Sequence, residues 1–386
     1  MNNLFFPALI LFVFSACAQS TPADSTDVTD KNEVISDSKK LSFNYNLSDF
    51  YLNSDSLNLA VEFIYNSLDD TAKVAQLIMP AMGKHGQAKD VIDELLNDRL
   101  IGGILMLNGS KDEFKSWVDE YNKLTSELEF TPLLYSADAE PSLVNRKITS
   151  TTPVKKASNI KTSAEVKQVA KVISNDLNEI GINYNFSPVL DFAPNKTVGW
   201  RSFGHYPDSV VSWSNQFITE TQSNNILATA KHFPGHGFVQ GDTHKKLVYI
   251  DGEMKEVSNY PPVINNGVMS IMIAHIAIQN NDEYDTGGLP SSVSHNIVTG
   301  LLRDSLGFEG LIVTDALNMG GVTFVEDAAL KSIQAGCDIA LMPLDARKAH
   351  QQILENYKSN DDFKSQADQS IKRVIKAKIC LGLYRD

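Results

Sequence analysis

Eight short apolar runs, separated by amphipathic segments, are the feature that most constrains the fold of this 386-residue chain. In chain order they read AQLIMPAM, LIGGILML, PLLYSAD, INYNFSPVLDF, ILATAKH, MSIMIAH, LIVTDAL and DIALMP. Continuous apolar runs are typical of strands buried on both faces, and helical segments between them indicate a parallel sheet. Eight such units predict an α/β chain folded as a single (β/α)₈ barrel, with no second domain needed after the last run.

Polar residues cluster where these strands are predicted to end. Asp138 follows the third run, Lys231 and His232 lie at the end of the fifth, His275 ends the sixth, and Asp315 lies near the end of the seventh. A barrel carries its functional site at the carboxyl ends of its strands. Residues distant in sequence are therefore predicted to converge on one pocket.

The densest cluster is KHFPGHGFVQGDTH, from Lys231 to His244. It contains three histidines, a lysine and an aspartate, interrupted by three glycines and a proline. Glycines let the backbone fold closely around a ligand, and this many titratable groups is not typical of an ordinary surface loop. We interpret the segment as an active-site loop that begins where a strand ends.

Asp242 and His244 within this loop indicate proton transfer, because an aspartate two residues away can orient an imidazole and stabilise its cationic form. Asp315 would supply a nucleophile from a separate loop, although an aspartate in this context is as often a helix N-cap. Together they are the minimum for a two-step displacement at an acetal carbon. The residues that would hold sugar hydroxyls, or instead form structural salt bridges, are Asp138, Arg201 and Lys231.

These residues resemble the signature of glycoside hydrolase family 3, and within it the NagZ-type β-N-acetylglucosaminidases. The family pattern K-H-F-P-G-H-G, four residues, then D-S/T-H is matched by residues 231–237 and 242–244. Further similar segments are FSPVLDF, WRSFG, IMIAH, VTDALNM and AGCDIALM. The resemblance therefore extends over the chain from about residue 70 onward.

The resemblance implies an exo-acting, retaining β-N-acetylglucosaminidase that needs no cofactor or metal ion. Its substrates would be peptidoglycan-derived or related glycans with a non-reducing terminal N-acetylglucosamine. Asp315 is implied as the nucleophile and His244 as the acid/base, with Asp242 as its partner. The residues expected to bind substrate are Asp138, Arg146, Arg201, Lys231, His232 and His275.

The loop after the third strand departs from the family pattern. Many relatives carry D-Q-E-G-G-R-V-Q-R, whereas residues 138–146 read DAEPSLVNR. The Asp, the Glu and the last Arg persist, but Pro141 and Ser142 replace both glycines and Leu143 replaces a charge. Ala316 stands where relatives often have a second Asp after the nucleophile. We expect an altered preference for the leaving group, with the chemistry retained.

The N-terminus predicts export. An apolar run from Leu4 to Phe14 is too short to span a bilayer, and the Phe-Ser-Ala-Cys that ends it resembles a lipobox with Cys17 as the lipidated residue. We predict a lipoprotein-type signal peptide in residues 1–17, a flexible polar linker in residues 18–44 and the catalytic barrel in residues 45–386. The protein would be anchored to a bacterial membrane, on its periplasmic or outer-membrane face.

The amino-acid composition limits the classes of molecule that the protein is expected to bind. A formal net charge of −13 argues against nucleic acid, which needs a basic face. Cys337 and Cys380 lie in apolar runs and are expected as buried free thiols. The remaining histidines expected on solvated surface are His205, His295 and His350.

Three alternatives remain at this point. Family 3 β-glucosidases or xylosidases generally take their acid/base from a carboxylate outside the barrel, which the D-T-H motif disfavours. Metal-dependent hydrolysis would need an H-x-H pair after the first strand, where only His85 is present. A sugar-binding lipoprotein without catalysis would have no use for the aspartates and histidine of the motif. The choice between peptidoglycan and chitin-type substrates, and between water and phosphate as acceptor, stays open.

Overall fold

The computed structural model describes residues 43–192, 195–204 and 207–385, which belong to one compact unit. The predicted signal peptide, Cys17, the linker up to residue 42 and His205 lie outside the described residues. Within the described ranges, none of the helices combines the length and the apolar character that crossing a membrane requires.

The secondary structure alternates between strands and helices along the chain. The strands of the described residues are β1 (Ile78–Met79), β2 (Ala81–Met82), β3 (Gly103–Met106), β4 (Gly109–Ser110), β5 (Leu134–Ala137), β6 (Ile148–Thr149), β7 (Tyr184–Asn185), β8 (Leu227–Phe233), β9 (Val248–Asp251), β10 (Ser270–Ile273), β11 (Ile276–Gln279), β12 (Leu311–Thr314) and β13 (Ala340–Leu341). The α-helices are α1 (Asp55–Ser67), α2 (Asp70–Ala75), α3 (Lys89–Asn97), α4 (Lys111–Glu127), α5 (Val144–Lys147), α6 (Ser163–Ile180), α7 (Pro207–Ser223), α8 (Tyr260–Asn265), α9 (Ala328–Ala335), α10 (Ala346–Ser359) and α11 (Asp361–Cys380). A π-type helix spans Asn296–Ser305, and short 3₁₀ helices span Leu47–Asp49, Ala157–Asn159, Lys255–Asn259 and Ser291–Val293.

Seven strands form one parallel sheet in the order β12-β10-β8-β7-β5-β3-β2. Strand β1, which Pro80 separates from β2, pairs in parallel with β13. Val313 of β12 in turn forms a parallel bridge with Ile339, next to β13. The predicted α/β class is confirmed, in the form of a curled parallel sheet with helices between its strands.

The strands are buried because helices cover the sheet. All seven residues of β8 are buried, which explains why its sequence is apolar throughout its first half and does not alternate. Helix α6 buries one face through Val166, Val169, Ile173 and Leu177, at the three- and four-residue spacing of a helix. Each such side chain contributes about 1.5–3 kcal/mol of burial free energy.

The last helix, α11, packs against α1, α10 and β12. Cys337 and Cys380 are buried free thiols, which confirms that prediction. His295 is exposed as expected, but His350 is not. Its side chain is buried and its Nε2 lies 3.0 Å from the Thr71 carbonyl oxygen, so it is a packing residue between α10 and α2.

A small parallel pair outside the main sheet joins two loops. Strand β9 follows the loop after β8, and β11 follows β10 after only two residues. They pair in register from Val248 with Ile276 to Asp251 with Gln279. The segment from residue 234 to residue 247 is therefore held at both ends, by β8 and by β9.

Candidate active site

A cavity of about 300 Å³ lies at the carboxyl ends of the sheet strands. Residues from the loops after β5, β8 and β12 meet there because parallel strands end at the same edge. The lining residues are Asp138, Leu143, Arg146, Lys147, Thr197, Trp200, Arg201, Lys231, His232, Asp242, His244 and Asp315. Every predicted catalytic residue lines this cavity, and of the predicted substrate-binding residues only His275 does not.

The inner end of the cavity is a network of buried charges. Lys231 Nζ lies 2.8 Å from Asp138 Oδ1 and 2.6 Å from Glu140 Oε1, and Lys147 also contacts the Asp138 carboxylate. Arg201 forms a two-pronged contact with Glu140, at 2.8 Å from Nε and 2.5 Å from Nη2. Because the contacts are charged and mutual, these side chains are held in place before any sugar binds.

Electrostatics keep both acids of this network ionised. Burial opposes the ionisation of Asp138, but Lys147 and Lys231 outweigh it and hold the pKa of its carboxyl well below the usual range. Burial opposes the ionisation of Glu140 as well, and Arg201 and Lys231 lower its pKa to about 2. Ionised oxygens and fixed cationic donors are what a site needs to hold several sugar hydroxyls.

His232 is oriented by Asp191. The Nδ1 atom lies 2.7 Å from Asp191 Oδ2, and the Asp191 Oδ1 atom accepts the backbone N–H of His236 at 2.8 Å. Since a carboxylate accepts, Nδ1 of His232 carries the proton and Nε2 is left for the cavity that His232 lines.

Asp315 follows directly after β12 and is half-buried. Its backbone N–H donates to the Ile273 carbonyl at 2.8 Å, and its Oδ1 accepts the N–H of Ala316 at 2.8 Å. Burial would raise the pKa of the Asp315 carboxyl, but His232 leads the groups that outweigh burial and lower it. The N-cap alternative for Asp315 is wrong, because the next helix begins only at Ala328.

Asp242 and His244 form a pair at the rim. Asp242 Oδ1 lies 2.8 Å from His244 Nδ1 and accepts the His244 backbone N–H at 3.0 Å. Burial opposes ionisation of Asp242, but the hydrogen bonds from His244 outweigh it and lower the pKa of the Asp242 carboxyl. The His244 side chain is 62% exposed, so its Nε2 edge is accessible to a ligand.

The loop after β12, which carries Asp315, holds the loop that carries His244 in position. The backbone N–H of Gly321 donates to the Thr243 carbonyl at 2.8 Å, and that of Gly320 donates to the His244 carbonyl at 3.0 Å. A Cβ atom on Gly320 would lie 2.5 Å from the Lys245 carbonyl oxygen. Only a glycine lets the two loops approach this closely, so the loop that carries Asp315 also sets the place of His244.

His275 requires a correction. The sequence predicted a substrate contact, but the side chain is fully buried and does not line the cavity. Its Nε2 lies 3.0 Å from the Ala316 carbonyl oxygen and its Nδ1 lies 2.7 Å from Ser292 Oγ. Burial lowers the pKa of His275, so it is a neutral hydrogen-bonding support beneath the residue that follows Asp315.

Ser142 fixes the loop after β5 through two hydrogen bonds. Ser142 Oγ donates to the Trp200 carbonyl at 3.0 Å and accepts the N–H of Ala157 at 3.0 Å. Leu143 and Trp200 both line the cavity. Sequence reasoning assigned no role to Lys147, and none to Trp200 although that residue begins the WRSFG segment.

The described residues contain no group of three or more His, Cys, Asp or Glu side chains arranged to hold a metal ion. The titratable groups of the cavity include an ionised carboxylate, Asp315, and a histidine paired with a second carboxylate, which are groups that can act as a nucleophile and as a proton donor.

Comparison with known proteins identifies the family. Residues 69–377 match the model described as the glycosyl hydrolase family 3 N terminal domain. This chain belongs to glycosyl hydrolase family 3. A beta-hexosaminidase A from Pseudoalteromonas piscicida is 32% identical over 239 residues, covering 55% of this chain and 40% of the relative. A beta-hexosaminidase from Nitrosospira multiformis is 28% identical over 269 residues, covering 64% of this chain and 74% of the relative.

Among solved structures, a family 3 beta-N-acetylglucosaminidase from Paenibacillus sp. str. FPU-7 aligns with a TM-score of 0.74 at 27% identity. The alignment covers 82% of this chain and 63% of that one. This family 3 chain thus spans less than two thirds of the Paenibacillus protein and of the Pseudoalteromonas relative.

Proposed function

We propose that this protein is an exo-acting, retaining β-N-acetylglucosaminidase. One observation carries the proposal: Asp315 and the Asp242–His244 pair line the same cavity, whose inner end is a ready-made set of charged hydrogen-bonding groups. Its volume of about 300 Å³ is at the small end of ligand sites, which favours one terminal sugar over a long chain. The names of the Pseudoalteromonas, Nitrosospira and Paenibacillus proteins support N-acetylglucosamine as that sugar.

The proposed reaction has two steps. Asp315 attacks the anomeric carbon of the terminal sugar while His244 gives its proton to the leaving oxygen, which breaks the glycosidic bond and leaves a glycosyl ester on Asp315. His244 then takes a proton from a water molecule. The oxygen of that water attacks the anomeric carbon and breaks the bond between this carbon and Asp315. Two inversions give net retention.

A histidine in place of a second carboxylate has a physical rationale. Once His244 has given up its proton it is neutral, so no second negative charge develops beside Asp315. Asp242 accepts from Nδ1, which keeps Nε2 as the atom that exchanges protons with the leaving group and with water.

The proposal is tested with a 4-nitrophenyl β-N-acetylglucosaminide and the matching β-glucoside. We expect release of 4-nitrophenol from the first substrate, and NMR of the first-formed sugar should show the β-anomer. A clear preference for the glucoside would favour the β-glucosidase alternative. Binding of N-acetylglucosamine without any turnover would favour a sugar-binding protein. Adding inorganic phosphate distinguishes hydrolysis from phosphorolysis, because phosphorolysis would release the sugar 1-phosphate.

The closure of the sheet into a barrel is also a proposal. We infer that the pairing of β1 with β13 and the bridge from Val313 to Ile339 close the seven-stranded sheet into a (β/α)₈ barrel spanning residues 45–386. Closure removes exposed sheet edges and brings the strand ends into a ring around the cavity. Amide hydrogen exchange should then protect Ile78 and Ala340 as strongly as β8.

We further propose that residues 1–17 are a lipoprotein signal peptide, that Cys17 is lipidated and that residues 18–44 are a polar linker. Anchored outside the cytoplasm, the enzyme would meet peptidoglycan fragments or other extracytoplasmic N-acetylglucosaminides. Labelling of cells with radioactive palmitate tests this. The full chain should incorporate label, and Cys17→Ser should not.

A further inference from the structure

A second cavity, of about 590 Å³, opens at the carboxyl ends of β2 and β3, on the edge of the sheet that also carries the catalytic cavity. Its walls are the loops that follow these two strands and the segment from α5 to β6. Arg146 lines both cavities, so the two spaces adjoin at this residue. We call it the distal cavity; it is lined by residues 82–85, 87–89 and 108–110 and by Glu113, Trp117, Arg146 and Thr149.

Backbone contacts fix the walls of the distal cavity. The backbone N–H of Lys84 donates to the Asn108 carbonyl at 2.8 Å, and strand β4 pairs with strand β6. Gly83 has a φ of +120°, and a Cβ atom on this residue would collide with the Leu107 carbonyl oxygen. Glycine permits this close approach of two loops. The three wall segments are therefore joined to one another, which gives the cavity a defined shape.

The distal cavity carries unpaired basic side chains in an acidic protein. Lys84, His85 and Arg146 line it, and none of the three forms an ion pair in the part of the chain that the structure describes. The formal net charge of the whole chain is −13. Three unpaired basic side chains around one cavity indicate an anionic ligand.

The other charged residues of this lining are already engaged. Lys89 Nζ lies 2.9 Å from Asp93 Oδ1 and 2.7 Å from Glu120 Oε1. Glu113 Oε2 accepts the backbone N–H of Ser110 at 3.3 Å, in the capping box that begins α4. The amino end of α4 lies in the same wall and adds partial positive charge. The groups that remain available to a ligand are therefore donors and cations.

The strand order places the distal cavity away from the leaving group. The loop that carries His244 follows β8, whereas the loops of the distal cavity follow β3 and β2, three and four strands further along the sheet. His244 must reach the glycosidic oxygen on the anomeric carbon, so the leaving group extends on the β8 side. The oxygens across the sugar ring from that carbon are O3, O4 and O6. A group attached to one of them can extend past Arg146 into the distal cavity.

We propose that the distal cavity holds an anionic ester, a sulfate or a phosphate, that the terminal N-acetylglucosamine carries on an oxygen remote from the anomeric carbon. Lys84 and His85 bind the ester, and Arg146 lies between it and the sugar. The glycosidic bond alone is cleaved, and the ester leaves intact on the product. One unsubstituted sugar needs only the catalytic cavity of about 300 Å³, and the distal cavity adds the room for its substituent. This inference rests on the proposed glycosidase function.

The test compares charged and neutral substituents at the same oxygen. The substrates are 4-nitrophenyl β-N-acetylglucosaminides that bear a sulfate at O3, O4 or O6, together with the three matching O-methyl ethers. Each ether shows whether a substituent is accepted, and each sulfate adds the charge. Two exposed ionic contacts predict that one of the sulfates exceeds its ether by about twofold to thirtyfold in kcat/KM at low ionic strength. Added salt should reduce the preference.

Variants connect the preference to the distal cavity. Lys84→Gln combined with His85→Gln should bring the sulfate-to-ether ratio at that oxygen to about one or below. The matched control, Lys167→Gln with Lys171→Gln, removes two exposed charges on α6 outside both cavity linings and should keep the wild-type ratio.

Inorganic sulfate distinguishes an ester on the substrate from a free anion in the same cavity. Calorimetry with the full chain compares inorganic sulfate with the product, the sulfated N-acetylglucosamine. The product should bind at least about tenfold more tightly, because its sugar holds the ester beside the site. Equal or tighter binding of inorganic sulfate, lost in the Lys84/His85 variant, would assign the cavity to a free anion and overturn the inference.

The remaining outcomes also decide the inference. If the unsubstituted glycoside is hydrolysed but no sulfate exceeds its ether, the inference is wrong and the proposed function stands. A sulfate preference that survives in the Lys84/His85 variant places the selectivity elsewhere and also overturns it. If the unsubstituted glycoside and all its derivatives resist hydrolysis, the proposed function fails. The calorimetric comparison of the sulfated sugar with unsubstituted N-acetylglucosamine then decides, and equal dissociation constants reject the distal cavity as an ester site.

Discussion

The two ends of the sheet each hold a fully buried lysine, and the two lysines differ in their partners. At the carboxyl end, burial lowers the pKa of Lys231 but Asp138 and Glu140 outweigh it and raise the pKa above its usual value. At the amino end, Lys378 of α11 contacts Gln76, which lies just before β1. The Lys378 Nζ atom lies 2.6 Å from the Gln76 amide oxygen, and burial lowers the pKa of Lys378 to about 7. At the end that carries the cavity, the lysine is paired with carboxylates. At the other end, the lysine contacts a neutral amide.

The contrast indicates that the carboxyl end carries function and the amino end carries stability, a division typical of barrels. Substitutions at the two ends should therefore be distinguishable by what they lose.

Asp315→Asn should have the largest effect, a loss of at least about 10⁴-fold in kcat, because an amide cannot form the glycosyl ester. The melting temperature should stay near that of the wild type, since asparagine has the same shape and can still accept the N–H of Ala316. Steady-state assays with an aryl N-acetylglucosaminide and a thermal melt measure both. Near-normal turnover would remove Asp315 from the nucleophile role.

Lys231→Met should destabilise the fold by about 3–5 kcal/mol, because Asp138 and Glu140 would be left buried with less compensation. Lys378→Met should cost much less, since it removes a buried amine that has no carboxylate partner. Urea unfolding of the two variants gives the comparison. Equal losses in the free energy of unfolding would show that the different partners of Lys231 and Lys378 do not make the two ends differ.

His244→Ala should lower kcat/KM by about 10²–10⁴-fold for substrates with poor leaving groups, because the leaving oxygen would depart without a proton. An activated 4-nitrophenyl glycoside needs no such help and should lose far less in the first step. The measurement is kcat/KM across aryl glycosides of different phenol pKa. A uniform loss across the series would count against general acid catalysis by His244.

Two glycines offer a matched pair, one at each end. A Cβ on Gly320 would press on the Lys245 carbonyl, and one on Gly102 would lie 2.6 Å from the Gln76 Cα atom before β1. Gly320→Ala should displace His244 and cost about tenfold to a hundredfold on poor leaving groups. Gly102→Ala should cost about 1–3 kcal/mol of stability and leave the leaving-group dependence unchanged. The idea fails if both variants change that dependence alike.

The last effect concerns pH, and it is small for each pH unit. The folded pKa of Lys378, about 7, is below its ordinary value of 10.5, so between these values the unfolded state binds more protons. Stability should therefore rise with pH in this window, by at most about 1.4 kcal/mol per pH unit. Subtracting the unfolding free energy of Lys378→Met from that of the wild type, from pH 7 to pH 9, isolates this contribution. A constant difference would contradict it.

Much of the site was predictable because its chemistry is local in sequence. Lys231, His232, Asp242 and His244 belong to one run, and its match to the family pattern placed them in the same pocket. Asp315 could be assigned to the same site because it follows an apolar run that was predicted to be a strand. The strand count supported a parallel sheet for the same reason, since burial on both faces leaves a continuous apolar pattern.

Other assignments could not be made from the sequence. The burial of His275 and His350 depends on which residues pack over them, and no local pattern contains that information. Lys147 and Trp200 line the same cavity although they lie in different loops, after β5 and after β7, and Ser142 joins these two loops through the Trp200 carbonyl. The contacts of Gly320 with the loop that carries His244 join segments about 75 residues apart, as only a folded parallel sheet allows.

The fold class, the family resemblance and the chemical identity of the groups could be inferred from the sequence, because apolar runs and short motifs consist of consecutive residues. Which charges are compensated, which histidines line the cavity and which glycines bring two loops together follow from the folded chain. Those properties depend on distances across strands, and a carboxylate or a lysine acquires its pKa and its role only from the neighbours that folding supplies.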